Sequence, residues 1–380
     1  MQPYNFDQII DRSHTNSFKW DNVTYVGKDI LPMPVADMDF PVAHEIKACI
    51  DRISDHQILG YAIVPDSLKK VAQQKINASY GWDTQLDWQV WIPGIVPGIT
   101  AACSQFADGG ILTAVPVYHP FHLVANWVNK PLFTFPMIEE KGRWTFDFQA
   151  FEAALKQGPQ VFLFCNPHNP GGTVFNDSEI QRIIALCKQY NCLVISDEIH
   201  ADLRIKCQSE HICIGKYMES SPSISFFASS KTYNTAGLGG AVAIIPDPDI
   251  RKQFIAATLG FFPMLTRHSI EVMETSWTMP STWLDSLLTY LTANHDLLLQ
   301  FIEQQVGLRM LPLEATYLAW IEFDEELYGN FQQRLFDHGL HVLRGDQFLG
   351  KNFIRLNFAC PRPLLEKAMG IIQQTIDEIH

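Results

Sequence analysis

The sequence is short of positive charge. Only 28 Lys and Arg stand against 41 Asp and Glu in 380 residues, a formal net charge of −13. A chain this acidic is poorly suited to nucleic acid or an anionic membrane surface as partner. It also lacks an unbroken apolar run of membrane-spanning length. The longest, Trp91 to Ala107, is interrupted by Pro93, Pro97, Ser104 and Gln105. Asp7, Asp11 and Arg12 stand where a cleaved leader would need an apolar core, so a cytoplasmic protein is expected. The eight cysteines include no C-x-x-C pair, which favours reduced thiols over a disulfide framework. Cys207, His211 and Cys213 lie close enough to raise zinc, but no second ligand pair stands at a familiar spacing, so no metal is expected. No G-x-G-x-x-G follows a strand-like segment, which leaves a dinucleotide enzyme without support. Internal repeats and low-complexity tracts are absent.

What is present is ample core material, 47% hydrophobic with 12% aromatics, over a length suggesting two domains or one large α/β unit. Phe226 to Ala241 places a single lysine, Lys231, among Ala228, Ser229, Ser230 and Thr232, followed by Gly237, Gly239 and Gly240. Desolvation in such a segment lowers a lysine pKa, and a neutral amine can attack a carbonyl to form a Schiff base. The competing reading is a surface lysine in a Ser/Gly-rich loop. Leu193 to Ile195 reads as a buried strand that ends on Ser196, Asp197 and Glu198. A carboxylate there sits where open α/β sheets place ligand contacts, and Asp197 could equally be a helix N-cap. A third apolar strand ends at Cys165 and enters the dense turn Asn166-Pro167-His168-Asn169-Pro170-Gly171-Gly172.

The intervening chain alternates strand and helix. Helical spacing marks Val42 to Ile53, Leu68 to Tyr80, Phe146 to Leu155 and Ser178 to Tyr190. Strands are expected at Ile111 to Val117, Phe133 to Met137 and Val161. Strand, helix, strand implies a parallel sheet with right-handed crossovers. Trp91 to Phe106 reads as a glycine turn opening a helix, whose free N–H groups at Ile95 and Val96 suit a phosphate. A long helix over Trp283 to Gln305 precedes strands at Tyr317 to Phe323 and Phe353 to Phe358. The second carries Arg355, whose buried guanidinium requires an anionic partner, either a salt bridge or a ligand. Arg12 to Asp21 shows no periodicity and reads as an extended arm.

Asn-Pro-x-Asn-Pro-Gly at 166–171, Asp197, and Ser230-Lys231 follow in that order, the lysine 34 residues beyond the aspartate. Together they resemble the fold-type I pyridoxal-phosphate enzymes of the aminotransferase class I/II group. Two further patterns are similar to the carbon–sulfur β-lyase branch, which includes cystathionine β-lyases: R-x-x-T-x-S-x-K-W-D at 12–21 and V-A-D-M-D-F at 35–40. Gly239 stands where aminotransferases carry a phosphate-binding arginine, a lack shared by the lyases. The resemblance spans Arg12 to Arg362. It implies an aspartate aminotransferase-type α/β fold, with a mostly parallel central sheet in a large domain and a smaller α+β domain. The divisions expected are 1–45 (arm and part of the small domain), 46–282 (large domain) and 283–380 (small domain).

The resemblance also implies roles. Lys231 would carry pyridoxal 5'-phosphate and act as general base, Asp197 would hold the proton on the ring nitrogen, and Tyr118 would stack on the ring. The phosphate would fall to the Ile95 and Val96 amides, Ser229, Ser230, and Tyr61 reaching from the neighbouring subunit of a homodimer. Tyr61 also counts among the substrate-facing residues. His200 would face the cofactor's phenolic oxygen. Arg355, Asn169 and the backbone at Ala36 would take the substrate's α-carboxylate. The implied reaction is β-elimination from L-cystathionine or another cysteine S-conjugate to thiol, pyruvate and ammonia. Alternatives are amino transfer, and a ligand-sensing protein with little turnover.

Overall fold

The computed structural model describes residues 4–25, 27–206, 210–218 and 222–379. An eight-stranded sheet forms the centre of the large α/β domain. Its order is Gln89–Ile92, Ala241–Ile244, Ser223–Phe227, Leu193–Asp197, Val161–Cys165, Ile111–Val115, Leu132–Glu140, Arg143–Phe146. The five strands from Ser223–Phe227 to Leu132–Glu140 run parallel, and the outer pairings are antiparallel. Three of the inner strands, Val161–Cys165, Leu193–Asp197 and Ser223–Phe227, are buried along their whole length. That is why they read as continuous apolar runs rather than alternating ones. One face packs on Ile95–Phe106 and its neighbours, and the other on a phenylalanine-rich layer over Asp177–Gln189. Asn176 and Glu179 cap the latter helix reciprocally, each side chain accepting from the other's backbone N–H.

The smaller α+β domain has a four-stranded antiparallel sheet in the order Leu308–Met310, Leu318–Phe323, Phe353–Asn357, Leu343–Arg344. The long helix Thr282–Glu303 presents Trp283, Leu287, Leu291, Leu298 and Ile302 to the same core. Near the chain's start, Leu31–Pro32 pairs in parallel with Leu340–His341.

The segment expected to be an extended arm is instead wound into turns. The Asp21 carboxylate accepts from the backbone N–H groups of His14, Thr15 and Ser17. Arg12 reaches Asp37 and Asp39, and fully buried Lys19 reaches Asp39 at 2.6 Å. Trp20 donates its indole N–H to Asp39. Polar groups meeting distant carboxylates leave no periodic trace, so the sequence read as featureless there.

Candidate active site

The parallel strands end on one rim. Asp197 is the last residue of its strand, and the chain then turns rather than entering a helix, so the N-cap reading fails. Its carboxylate accepts from the Ile199 N–H two residues on. Burial pushes the Asp197 pKa up to about 7, with the neighbouring Glu198 adding to the rise. Lys231 follows the next strand and projects into a cleft of about 530 Å³, whose wall includes Phe18, Val35, Tyr118, His119, Leu123 and Arg355. Its Nζ donates to the Ala36 carbonyl at 2.7 Å. Desolvation first, and the Arg355 charge second, bring its pKa down to about 8.

Arg355 lies on the Phe353–Asn357 strand and is 2% exposed. It donates to Asn169 Oδ1 at 3.1 Å and to the Pro34 carbonyl at 3.0 Å, with its face over Phe348. Among the described residues no carboxylate pairs with it, and its buried Nε has no hydrogen-bond partner. Burial lowers even this guanidinium to about 10. A buried guanidinium in this state has none of the salt-bridge partners that reading required among the described residues. Tyr118 lines the same cleft, and its N–H donates to the Asn169 carbonyl. His200 is buried, near the ring of Tyr317, with Nδ1 unpartnered. Burial and the charges of Lys231 and Arg355 bring its pKa down to about 3, leaving it neutral.

Lys231, Tyr118, Ala36 and Arg355 thus share one cleft, with Asn169 bonded to Arg355. Ile95 and Val96 open the helix Ile95–Phe106, whose first turn has no side-chain cap. Gly240, beyond Lys231, donates to the Pro93 carbonyl just before that helix. Gly239 has φ +69, and a Cβ there would lie 2.9 Å from the Pro93 oxygen, so this backbone admits no arginine at the position. Ser229 is buried and Ser230 partly so, directly before the lysine. Tyr61 is not in the cleft wall. It is 97% exposed, among exposed Ile58, Leu59 and Ile63.

Sequence reasoning missed Tyr317 and Asn357. The Tyr317 hydroxyl donates to Ala36 O at 3.0 Å, beside the lysine's own bond, and Asn357 donates to the carbonyls of Val35 and Asp37. Asn357 follows Arg355 by two on one strand, a same-face signal that was available. The zinc question also changes form. Cys207 lies outside the described residues, while Glu198 joins His211 and Cys213 with donor atoms within 4.8 Å of one another. The carboxylate and imidazole of that group are already bonded together at 2.6 Å.

The model of the aminotransferase class I and II family matches residues 31–372. The chain belongs to that family. It is 30% identical to cystathionine beta-lyase PatB of Bacillus subtilis over 392 residues, covering 98% of this chain and all of that protein. Among solved structures it resembles cystalysin from Treponema denticola, with TM-score 0.93 and 28% identity over 99% of this chain and 100% of the other. It also resembles a C–S lyase from Staphylococcus hominis, with TM-score 0.91 and 26% identity over 98% of each chain. Both of those structures contain pyridoxal 5'-phosphate. The residues here fit that group: a buried amine of lowered pKa, a buried carboxylate at a strand end, an aromatic in the wall, and an uncapped helix N-terminus next to the glycine turn.

Proposed function

We propose that this chain is a pyridoxal-phosphate-dependent carbon–sulfur β-lyase that cleaves L-cystathionine or related cysteine S-conjugates to a thiol, pyruvate and ammonia. The observation that carries an amino-acid substrate is Arg355, a buried guanidinium without a carboxylate partner, in one cleft with Lys231. The lyase outcome draws support from full-length similarity to PatB and from the close packing at Gly239, which excludes the aminotransferase arginine.

Bound pyridoxal phosphate supplies an electron sink for the pair left at Cα. Arg355 and Asn169 take the α-carboxylate, the guanidinium bidentately. Lys231 would hold the cofactor, and its amine would be the base that takes the Cα proton. With its pKa near 8, a useful fraction is neutral at physiological pH. Asp197, as the carboxylate, would keep a proton on the ring nitrogen. Tyr118 would stack on the ring, His200 would face its phenolic oxygen, and Ser229, Ser230 and the Ile95 and Val96 amides would hold the phosphate. Tyr317 and Asn357 fix the Val35–Asp37 backbone against which the substrate lies. Phe18, Val35, Leu123 and Leu343 form the apolar side of the cleft and exclude water around the leaving sulfur.

The exposed apolar run at Ile58, Leu59, Tyr61 and Ile63 suits burial against a second copy, with Tyr61 completing that copy's site. The divisions 1–45, 46–282 and 283–380 are proposed as its domain limits. No helix among the described residues is long and apolar enough to cross a membrane. The seven described cysteines are free and buried, which fits a cytoplasmic enzyme.

Product partition tests the reading. With saturating cofactor and L-cystathionine, pyruvate and thiol should appear in equal amounts with each turnover. If the pyridoxamine form and transfer to a keto acid dominate with every thioether, the protein is an aminotransferase. If nothing turns over, it is a sensor.

A further inference from the structure

Phe18 is 81% exposed, yet its neighbours on both sides are tied down. Ser17 Oγ accepts from Arg12 at 3.1 Å and from the Trp20 N–H at 3.2 Å. Lys19 is fully buried against Asp39, and Trp20 donates to the same carboxylate at 2.8 Å. A lone exposed phenylalanine is ordinary on a protein surface. This one stands on a fixed turn in the wall of the cleft that holds Lys231 and Arg355. Val35, Leu123 and Leu343 share that wall, and each is still partly exposed. The cleft therefore keeps apolar surface open to water beside the reacting groups, where a substituent on the substrate's sulfur would cover it.

We propose that Phe18 is a specificity-determining residue, selecting cysteine S-conjugates with an uncharged apolar group on sulfur over those, such as L-cystathionine, whose far end is charged. The proposal rests on the lyase function above and narrows its substrate class. The far half of L-cystathionine carries an ammonium and a carboxylate. Among the described residues no carboxylate lines the cleft, so that ammonium would meet no counter-charge. The ammonium and guanidinium that do line it, Lys231 and Arg355, are committed to the cofactor and the α-carboxylate. Burial first, and the Arg355 charge second, bring His119 down to about 4, so it is a neutral imidazole. His122 is engaged by the Gln347 carbonyl at 2.9 Å. Arg344, next to Leu343, is outside the wall and already paired with Asp346 at 3.0 Å. A benzyl or alkyl group asks for none of these partners and covers Phe18 instead.

The test varies the group on sulfur and nothing else. Holoenzyme is given S-benzyl-, S-(4-carboxybenzyl)- and S-methyl-L-cysteine, with thiol release as the readout. The benzyl conjugate should exceed its carboxylated counterpart in kcat/KM at least about tenfold, since both release a benzyl thiol and differ only in the distal charge. Phe18→Ala should lower the ratio of benzyl to methyl conjugate about tenfold. Phe18→Leu, which keeps an apolar cover, should lose much less of it. The side chain is exposed, so neither variant threatens the fold. Binding is read separately by calorimetry with L-2-amino-5-phenylpentanoate, in which a methylene replaces sulfur and nothing can leave. Its Kd should weaken about tenfold in Phe18→Ala. Equal losses for the methyl and benzyl conjugates would make Phe18 a structural or subunit-contact residue and overturn the proposal, as would equal rates for the benzyl and carboxybenzyl conjugates. A Kd that depends on Phe18 in a protein releasing no thiol would leave this inference standing and remove the lyase reading. Thiol release indifferent to Phe18 would do the reverse.

Discussion

Replacing Asp197 by Asn should stabilise the cofactor-free protein, and increasingly so as pH rises. In the folded chain burial pushes the Asp197 pKa up to about 7, against an ordinary 3.8. The folded state therefore holds this proton over a range in which the unfolded state has released it. Stability from this group is undiminished below the unfolded pKa and falls between about pH 4 and pH 7. That displacement corresponds to about 4 kcal/mol of destabilisation once both states are ionised. Between pH 5 and pH 8 the change is roughly 2–3 kcal/mol by the same linkage. Asparagine has no proton to lose, and its Oδ1 can still accept from Ile199. Urea unfolding of both cofactor-free proteins across that range isolates the effect as a difference, cancelling other titrating groups. The gap should widen with pH. A gap that stays constant from pH 5 to pH 8, or one that favours the wild type at high pH, would refute a raised Asp197 pKa.

Lys231→Ala should lose the visible absorbance that borohydride removes from the wild type, and with it essentially all turnover; a borohydride-reducible chromophore in that variant would move the attachment elsewhere. Asp197→Asn should still bind cofactor but lose at least about 100-fold in kcat, roughly 2.7 kcal/mol of barrier, and an unchanged rate would assign the ring proton to another group. Arg355→Lys, a point charge for a planar fork, should raise KM for amino acids at least about tenfold while leaving cofactor attachment intact, and an unchanged KM would place the carboxylate elsewhere. Mixing inactive Lys231→Ala with inactive Tyr61→Phe subunits should restore part of the activity; no recovery despite proven subunit exchange would keep Tyr61 out of its neighbour's site.

The central sheet was legible because its strands are apolar runs closed by turn residues. Val161 and Leu193 both start strands that the run lengths and the alternation with helices foretell, whereas the strand Ser223–Phe227 beside them was not read. The cleft residues were legible for a related reason. Lys231, Asp197 and Arg355 are each a charge at the edge of, or within, apolar chain, and burying a charge demands a purpose. Tyr317 escaped because a buried tyrosine is ordinary, and only its hydroxyl bond to Ala36 distinguishes it. Glu198 and His211 were noted singly, but their bond escaped because 13 residues separate them and no local pattern records such a pairing. The Arg12–Asp21 segment escaped as structure, although its residues were noticed, because its order comes from carboxylates at Asp37 and Asp39 rather than from any repeat of its own.

The hold that Arg355 and Asn357 keep on the backbone at Pro34 and Val35 has a consequence during synthesis. Arg355 and its Pro34 contact are separated by 321 residues. At about 5–20 residues per second, the ribosome delivers the second partner roughly 16–64 s after the first. Until the helix Thr282–Glu303 and the strands after it are made, Met33, Met38 and Phe40, all buried in the finished protein, have no small-domain core to enter. The earliest part of the chain to emerge is therefore the last to dock. A ribosome that stalls before Phe353 leaves a sticky N-terminal segment exposed, however well the large sheet has already folded.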